Sequence, residues 1–227
     1  MKIKVILFGS TGMLGQADLL ECIKNKEVES ILAINGQSCN VSHPKRKEII
    51  RKDLFDLYGL TTEMTGYNTC LFCVGISSAG MKEADYYKIT YDLMLNAAKT
   101  LLEINKDMTF CYISGTGTDS SEKGKIMWAR VKGKTENDLL ALSFKKAYMF
   151  RPAFIQPMKG IRSRTKSYKI LYAVFKPFYF ILKHFESFVT NTETFGKAMI
   201  LSVFNRYEKN ILENRDTNTI VRESMML

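Results

Sequence analysis

Hydrophobic positions along the chain fall into two rhythms that alternate over its first two thirds. Short, nearly continuous apolar runs occupy residues 2–8, 30–35, 48–50, 69–74, 108–113 and 147–151. Runs of that length, bounded by Gly, Asn, Asp or Ser, predict strands buried on both faces of a sheet. Between them, residues 16–24, 83–105 and a stretch beginning near Met127 carry apolar residues at helical spacing, the second through Leu93, Leu95, Ala98, Leu101 and Leu102. Strand and helix in alternation predict an α/β chain with a doubly wound parallel sheet.

The last third is less regular. Thr190-Asn191-Thr192-Glu193 reads as a capping box for a helix over 194–204, followed by a short strand at 211–214 and a loose tail beyond Arg215. Residues 168–185 are apolar except for Lys169, Lys176 and Lys183, spaced seven apart, Pro177 and His184. Three lysines and a proline make a poor membrane span. Two readings remain: a roof of apolar side chains over a substrate cleft, or an interfacial helix making peripheral membrane contact with its lysines at the headgroups. The roof is preferred, because an exposed apolar face of that size is costly in a soluble protein.

At 227 residues, 46% hydrophobic and 25% charged, the chain can bury one sizeable core, and disorder is not indicated. Five cysteines without a repeating spacing argue against a disulfide framework and for a reducing compartment. Cys70 and Cys73, three apart on one strand, point to opposite faces and cannot share a metal; no metal site is expected. The N-terminal apolar run is only strand-length, which argues against a secretory leader and predicts a cytoplasmic protein. A net charge of +10 favours anionic partners without naming one. Five of the eight residues from Lys45 to Lys52 are basic, but no aromatics are interleaved, so nucleic acid is not the expected partner.

The chemistry gathers at Gly9-Ser10-Thr11-Gly12-Met13-Leu14-Gly15, between the first strand and the first helix. A strand that stops in a glycine-rich turn and passes straight into a helix presents bare backbone N–H groups and a helix N-terminus together, which suits a phosphate. This G-x-T-G-x-x-G pattern resembles that of the extended and atypical short-chain dehydrogenase/reductase families. The resemblance implies a single dinucleotide-binding Rossmann domain with a small C-terminal elaboration on the substrate side. Residues 1–157 would form its nucleotide-binding core and 158–227 its substrate-side and C-terminal elements. Gly9, Ser10, Thr11, Gly12, Met13, Leu14 and Gly15 would hold a nicotinamide dinucleotide.

An acid that would hold the adenosine ribose of NAD is expected about 20 residues beyond such glycines. Asn35 stands there instead, with His43, Lys45, Arg46 and Lys47 following, so NADP is preferred and NAD allowed. The resemblance places Asp53 and Leu54 against the adenine. Cys73, Val74 and Gly75, at the end of the fourth strand where small residues continue to Gly80, would line the passing cofactor.

In short-chain dehydrogenases a Ser or Thr ends the fifth strand and a Tyr-x-x-x-Lys begins the next helix. Ser114 and Lys132 match; Trp128 stands in the tyrosine's place. An indole N–H donates only and does not titrate usefully, so Trp128 cannot act as general acid or base. Arg151-Pro152-Ala153-Phe154-Ile155-Gln156-Pro157 and Gly196-Lys197-Ala198-Met199 also resemble segments of the atypical members, of the NmrA-like or Tat-interacting-protein-like kind. The expected function is an oxidoreductase acting on a small apolar substrate, with Lys132 and Ser114 polarising the reacting oxygen. The alternative is a non-catalytic, dinucleotide-responsive sensor or scaffold.

Overall fold

The computed structural model describes residues 2–161, 180, 185–204 and 207–226. Seven strands form one parallel sheet: β1 (Ile3–Phe8), β2 (Val28–Asn35), β3 (Arg46–Ile50), β4 (Thr69–Phe72), β5 (Thr109–Ile113), β6 (Lys146–Arg151) and, near the C-terminus, β9 (Ile211–Glu213). Their spatial order is β3-β2-β1-β4-β5-β6-β9. The order reverses beside β1, and this topological switch point is where open α/β sheets form a ligand crevice. The predicted α/β, doubly wound parallel sheet is the fold observed.

Helices α1 (Met13–Lys24), α2 (Thr61–Met64), α3 (Glu83–Tyr87), α4 (Leu93–Ile104) and α5 (Met127–Ala141) are followed by α6 (Thr192–Phe204) and α7 (Asn214–Ser224). Two buried clusters cover the two faces of the sheet. One joins Phe8, Phe72, Phe110 and Met149 to α4; the other joins Leu7, Leu71, Tyr148 and Phe150 to α1 and α6. A separate parallel pair, β7 (Phe154–Gln156) and β8 (Val189–Asn191), follows β6 and leads into α6.

Three local expectations are corrected. The helix expected over 83–105 is divided by a π-helical turn at Lys88–Asp92, whose extra residue advances the inward face so that Met94 and Ala97 are buried along with Leu93 and Ala98. The helix after Thr190 starts at Thr192, and Asn191 Oδ1 accepts the Thr194 N–H at 2.9 Å. The tail beyond Arg215 is ordered: α7 has a reciprocal capping box between Glu213 and Asp216, and it buries Thr217, Ile220 and Val221. Apart from Phe180 and Phe185, residues 168–185 lie outside the described residues, and so do both readings of them. Among the described residues no helix is long and apolar enough to cross a membrane.

Candidate functional site

The first strand turns at Gly9, whose φ of +79° is open to glycine at little cost. A Cβ there would also lie 3.0 Å from Val74 N and 3.1 Å from the Cys73 carbonyl oxygen, so the turn and the end of β4 touch. Gly15 serves close packing: a Cβ on it would fall 2.2 Å from Gly9 O. Gly12 differs from both. Its backbone is extended at φ −76°, and a Cβ would meet nothing nearer than 3.5 Å. It is the N-cap of α1, yet among the described residues no side chain caps that helix, and its first turn holds no acidic residue. The positive end of α1 therefore opens into space that a side chain at Gly12 would fill, and the residues present fit a pyrophosphate there.

Ser10 and Asn35 face each other. Asn35 Oδ1 accepts the Ser10 N–H at 2.8 Å and the Ser10 hydroxyl at 3.1 Å, while Asn35 Nδ2 donates to Ser10 Oγ and to Glu48 Oε1 at 3.0 Å. Both residues are buried. Their polar groups shape the loop from behind, and the ribose-holding place assigned to Asn35 is turned inward. Glu48 takes further donors in the Cys39 N–H and the Ser38 hydroxyl, and Arg46 lies 3.0 Å away. Burial acts to raise its pKa, but these donors outweigh it and hold the carboxyl at about 2.

The basic run does not line the ribose side as a group. Lys45 Nζ donates to the Ile23 and Asn25 carbonyls at the C-terminal end of α1, and Arg46 is paired with Glu48. The Arg51 backbone N–H donates to Asn35 O at 2.8 Å, while its half-exposed guanidinium lies 4.0 Å from Asp56. Asp53 is exposed and accepts the Phe55 N–H at 2.9 Å, while Leu54 packs on the core beside it. Met13, Leu14 and Cys73 pack against one core cluster and Val74 against the other; Gly75 is exposed.

Around β5 the structure brings Ser114 and Lys132 together, but through the serine's carbonyl. Lys132 Nζ donates to Ser114 O. The Ser114 hydroxyl is buried and donates to Glu136 Oε1, with Phe150 O 3.2 Å away. Glu136 in turn forms a two-point ion pair with Arg151, whose guanidinium also reaches Ser120 Oγ at 2.6 Å and Glu213 at 3.3 Å. Ser114 therefore anchors a buried network and does not offer its hydroxyl to a substrate. The exposed hydroxyl at that strand end belongs to Thr116, which donates to Arg151 O at 3.0 Å. Burial pulls the Lys132 ammonium down to about 8, with Glu136 opposing. Trp128, half-buried, lies against the same turn: a Cβ on Gly117 would be 3.4 Å from its ring.

Sequence reasoning passed over Asp18, which is fully buried on α1 beneath the loop, with Cys73 Sγ donating to its Oδ2 at 2.8 Å. The signal was available: Leu14, Ala17, Asp18, Glu21 and Cys22 lie at helical spacing on one face, where an acid is out of place. Among the described residues, no group of three or more His, Cys, Asp or Glu could hold a metal.

The fold is shared with solved epimerase and reductase structures. A UDP-N-acetylglucosamine 4-epimerase from Methanobrevibacter ruminantium, in complex with UDP-N-acetylmuramic acid, superposes with a TM-score of 0.69 at 16% identity, covering 93% of this chain and 76% of that one. PbgP3 protein from Burkholderia pseudomallei gives 0.68 at 11%, covering 100% and 85%. MoeE5 in complex with UDP-glucuronic acid and NAD gives 0.67 at 13%, covering 92% and 75%.

In sequence, the chain is similar to Protein FMP52, mitochondrial, of Meyerozyma guilliermondii: 28% identical over 155 residues, 67% of this chain and 65% of the relative. Its counterpart in Debaryomyces hansenii is 24% identical over 172 residues, 75% of this chain and 72% of that protein. The Emericella nidulans protein is 28% identical over 161 residues, 66% of each. The match spans just under two thirds of the first relative's length. No family model matches the chain. These relatives are named as mitochondrial, which overturns the cytoplasmic expectation.

Proposed function

We propose that the chain binds a nicotinamide dinucleotide, preferentially NADP, and is a mitochondrial oxidoreductase acting on a small apolar substrate. The observation that carries the reading is the uncapped N-terminus of α1 behind Gly12, where the space a side chain would take is left open. MoeE5, which shares the fold, is in complex with NAD and so supports the cofactor class, and the relatives' names support the compartment. The preference for NADP rests on Asn35, a neutral side chain where a carboxylate would repel a 2′-phosphate. Asp53 and Leu54 are assigned to the adenine side, and the backbone from Cys73 to Gly75 to the passing cofactor. Among short-chain dehydrogenases, the atypical NmrA-like or Tat-interacting-protein-like kind matches the displaced tyrosine best.

When bound, the nicotinamide supplies hydride exchange with a carbonyl or alcohol carbon. The proton falls to this chain. Lys132 Nζ, held by Ser114 O and with its pKa lowered to about 8 by burial, can give a proton to the reacting oxygen near neutral pH. Thr116, whose exposed hydroxyl would have to exchange the Arg151 carbonyl for the substrate, replaces Ser114 as the group that polarises that oxygen. Trp128 shapes the cleft without taking part in proton transfer.

The test is NADPH oxidation on a broad panel of apolar aldehydes and ketones. Turnover that Lys132→Met removes supports the reading. No turnover on any carbonyl, or turnover indifferent to Lys132, overturns it. A second reading, a dinucleotide-responsive sensor, is favoured by the Ser114 hydroxyl being spent on Glu136 and by the absence of a titratable group at Trp128. It predicts tight NADPH binding without turnover.

A further inference from the structure

Asp18 is the most anomalous side chain in the cofactor half. It is 0% exposed, on the face of α1 that packs against the sheet and against α6, where apolar side chains belong. Its Oδ2 accepts the Cys73 thiol at 2.8 Å. Its Oδ1 has no hydrogen-bond partner among the described residues. A buried carboxylate with an unmatched oxygen and no cation paired to it among the described residues costs far more than the neutral acid.

The surroundings leave that charge uncompensated. On α1 itself stand Glu21, already bonded to Lys24 at 2.7 Å, and Cys22. From the end of β4 comes Cys73, and from β5 comes Cys111. α6 presents Gly196, where a Cβ would lie 3.0 Å from Ala17 O and 3.1 Å from Glu21, and its Glu193 is taken by Lys159 and Lys197. Lys45 acts on Cys22 from the turn before β3 but is bonded to the helix-end carbonyls. Burial, with Glu21 adding to it, raises Asp18 to about 7, although the Cys73 thiol pulls the other way.

Position makes this matter. Asp18 lies less than two helical turns from the Gly12 N-cap, on the helix whose positive end faces the cradle. Its partner Cys73 supplies the carbonyl that lies 3.1 Å from the place of a Gly9 Cβ. We propose that Asp18 and Cys73 are positioning residues of the dinucleotide site, and that cofactor binding takes up a proton at Asp18. The acid form holds the β4 end against the glycine turn. An arriving pyrophosphate disfavours a second negative charge beneath it, so it binds best when Asp18 is protonated. Affinity then falls as pH rises through the neutral range, with a slope of up to about tenfold per pH unit. This rests on the dinucleotide reading above.

The experiment is calorimetry of NADPH binding to the full chain across neutral pH, each point in two buffers of different ionisation heat, comparing the parent with Asp18→Asn. The 2′-phosphate of NADPH titrates near pH 6 in both proteins, so the difference between their profiles isolates Asp18. The parent is expected to take up more protons than the variant and to lose affinity relative to it as pH rises. In Cys73→Ala, which lacks the thiol donor, the midpoint of that loss should move to higher pH. Identical proton uptake and parallel profiles in parent and Asp18→Asn overturn the proposal while leaving the dinucleotide reading standing. If the parent binds no dinucleotide at any pH, that reading fails first and takes this one with it.

Discussion

The carboxamide of Asn35 is locked onto Ser10: one oxygen accepts both the Ser10 N–H and its hydroxyl, at 2.8 and 3.1 Å. The end of β2 thereby fixes the shape of the glycine turn, and Glu48 fixes Asn35 in turn. Asn35→Ala should leave the sheet folded and raise the NADPH dissociation constant by at least tenfold, about 1.4 kcal/mol, by releasing the loop. Calorimetry on a variant with parental circular dichroism checks it. Unchanged affinity would mean that the turn holds its shape without the asparagine.

Glu48 ties this arrangement to pH. Its folded pKa of about 2 lies below the ordinary value of 4.5, so its stabilisation is complete above 4.5 and is lost as pH falls toward 2. The difference corresponds to on the order of 3 kcal/mol. Acid unfolding of Glu48→Gln, followed by fluorescence, should show a shallower fall in stability over that window than the parent. A parallel loss in both would remove Glu48 from the account.

Asp18 has the opposite sign. Its folded pKa of about 7 lies above the ordinary 3.8, so its contribution is fully favourable below 3.8 and is lost as pH rises through 7. Asp18→Leu should therefore raise the melting temperature at alkaline pH and change it little in mild acid. Equal melting shifts at both pH values would show that the carboxyl does not titrate in the fold.

The seven strands of the main sheet and the glycine turn were legible because each depends on local pattern: apolar runs of strand length, and a strand-Gly-helix junction needing no distant partner; the short pair Phe154–Gln156 and Val189–Asn191 was not. Ser114 was legible as a position but not in its orientation, since its hydroxyl follows Glu136 on α5 and Arg151 on β6, residues 22 and 37 positions away. The π turn at Lys88–Asp92 leaves the helical pattern nearly intact, shifting it by one residue. The helix at Asn214–Ser224 is polar on its outer face, and its capping pair Glu213 and Asp216 reads as ordinary surface acids until the backbone brings them together. Lys45 and Arg46 looked like neighbours of the ribose in sequence, yet β3 runs parallel to β2, and its first residues lie at the edge opposite the site.

Ser114→Ala separates structure from catalysis. It leaves the buried Glu136 carboxylate short of one donor, which should cost about 1–3 kcal/mol of stability. Turnover per folded molecule should stay within a few-fold of the parent. Thr116→Val should do the reverse, holding stability while lowering kcat. Loss of kcat with Ser114→Ala at unchanged stability would return the serine to the substrate.

If Lys132 supplies the proton, reductase activity should decline as pH rises through about 8, where its ammonium is lost. Lys132→Met should lower kcat by about a hundredfold or more. A pH profile flat across that range, in an enzyme that turns over, would assign the proton elsewhere.

The central claim is that the N-terminus of α1 is kept bare for a dinucleotide. Gly12→Asp tests it most directly, because the backbone there accepts any residue, and a Cβ meets nothing nearer than 3.5 Å. A carboxylate at that N-cap should hold or raise the melting temperature by bonding the open N–H groups. It should also abolish NADPH binding measured by calorimetry. A variant that binds NADPH as the parent does, or a parent that binds no dinucleotide, would contradict the account.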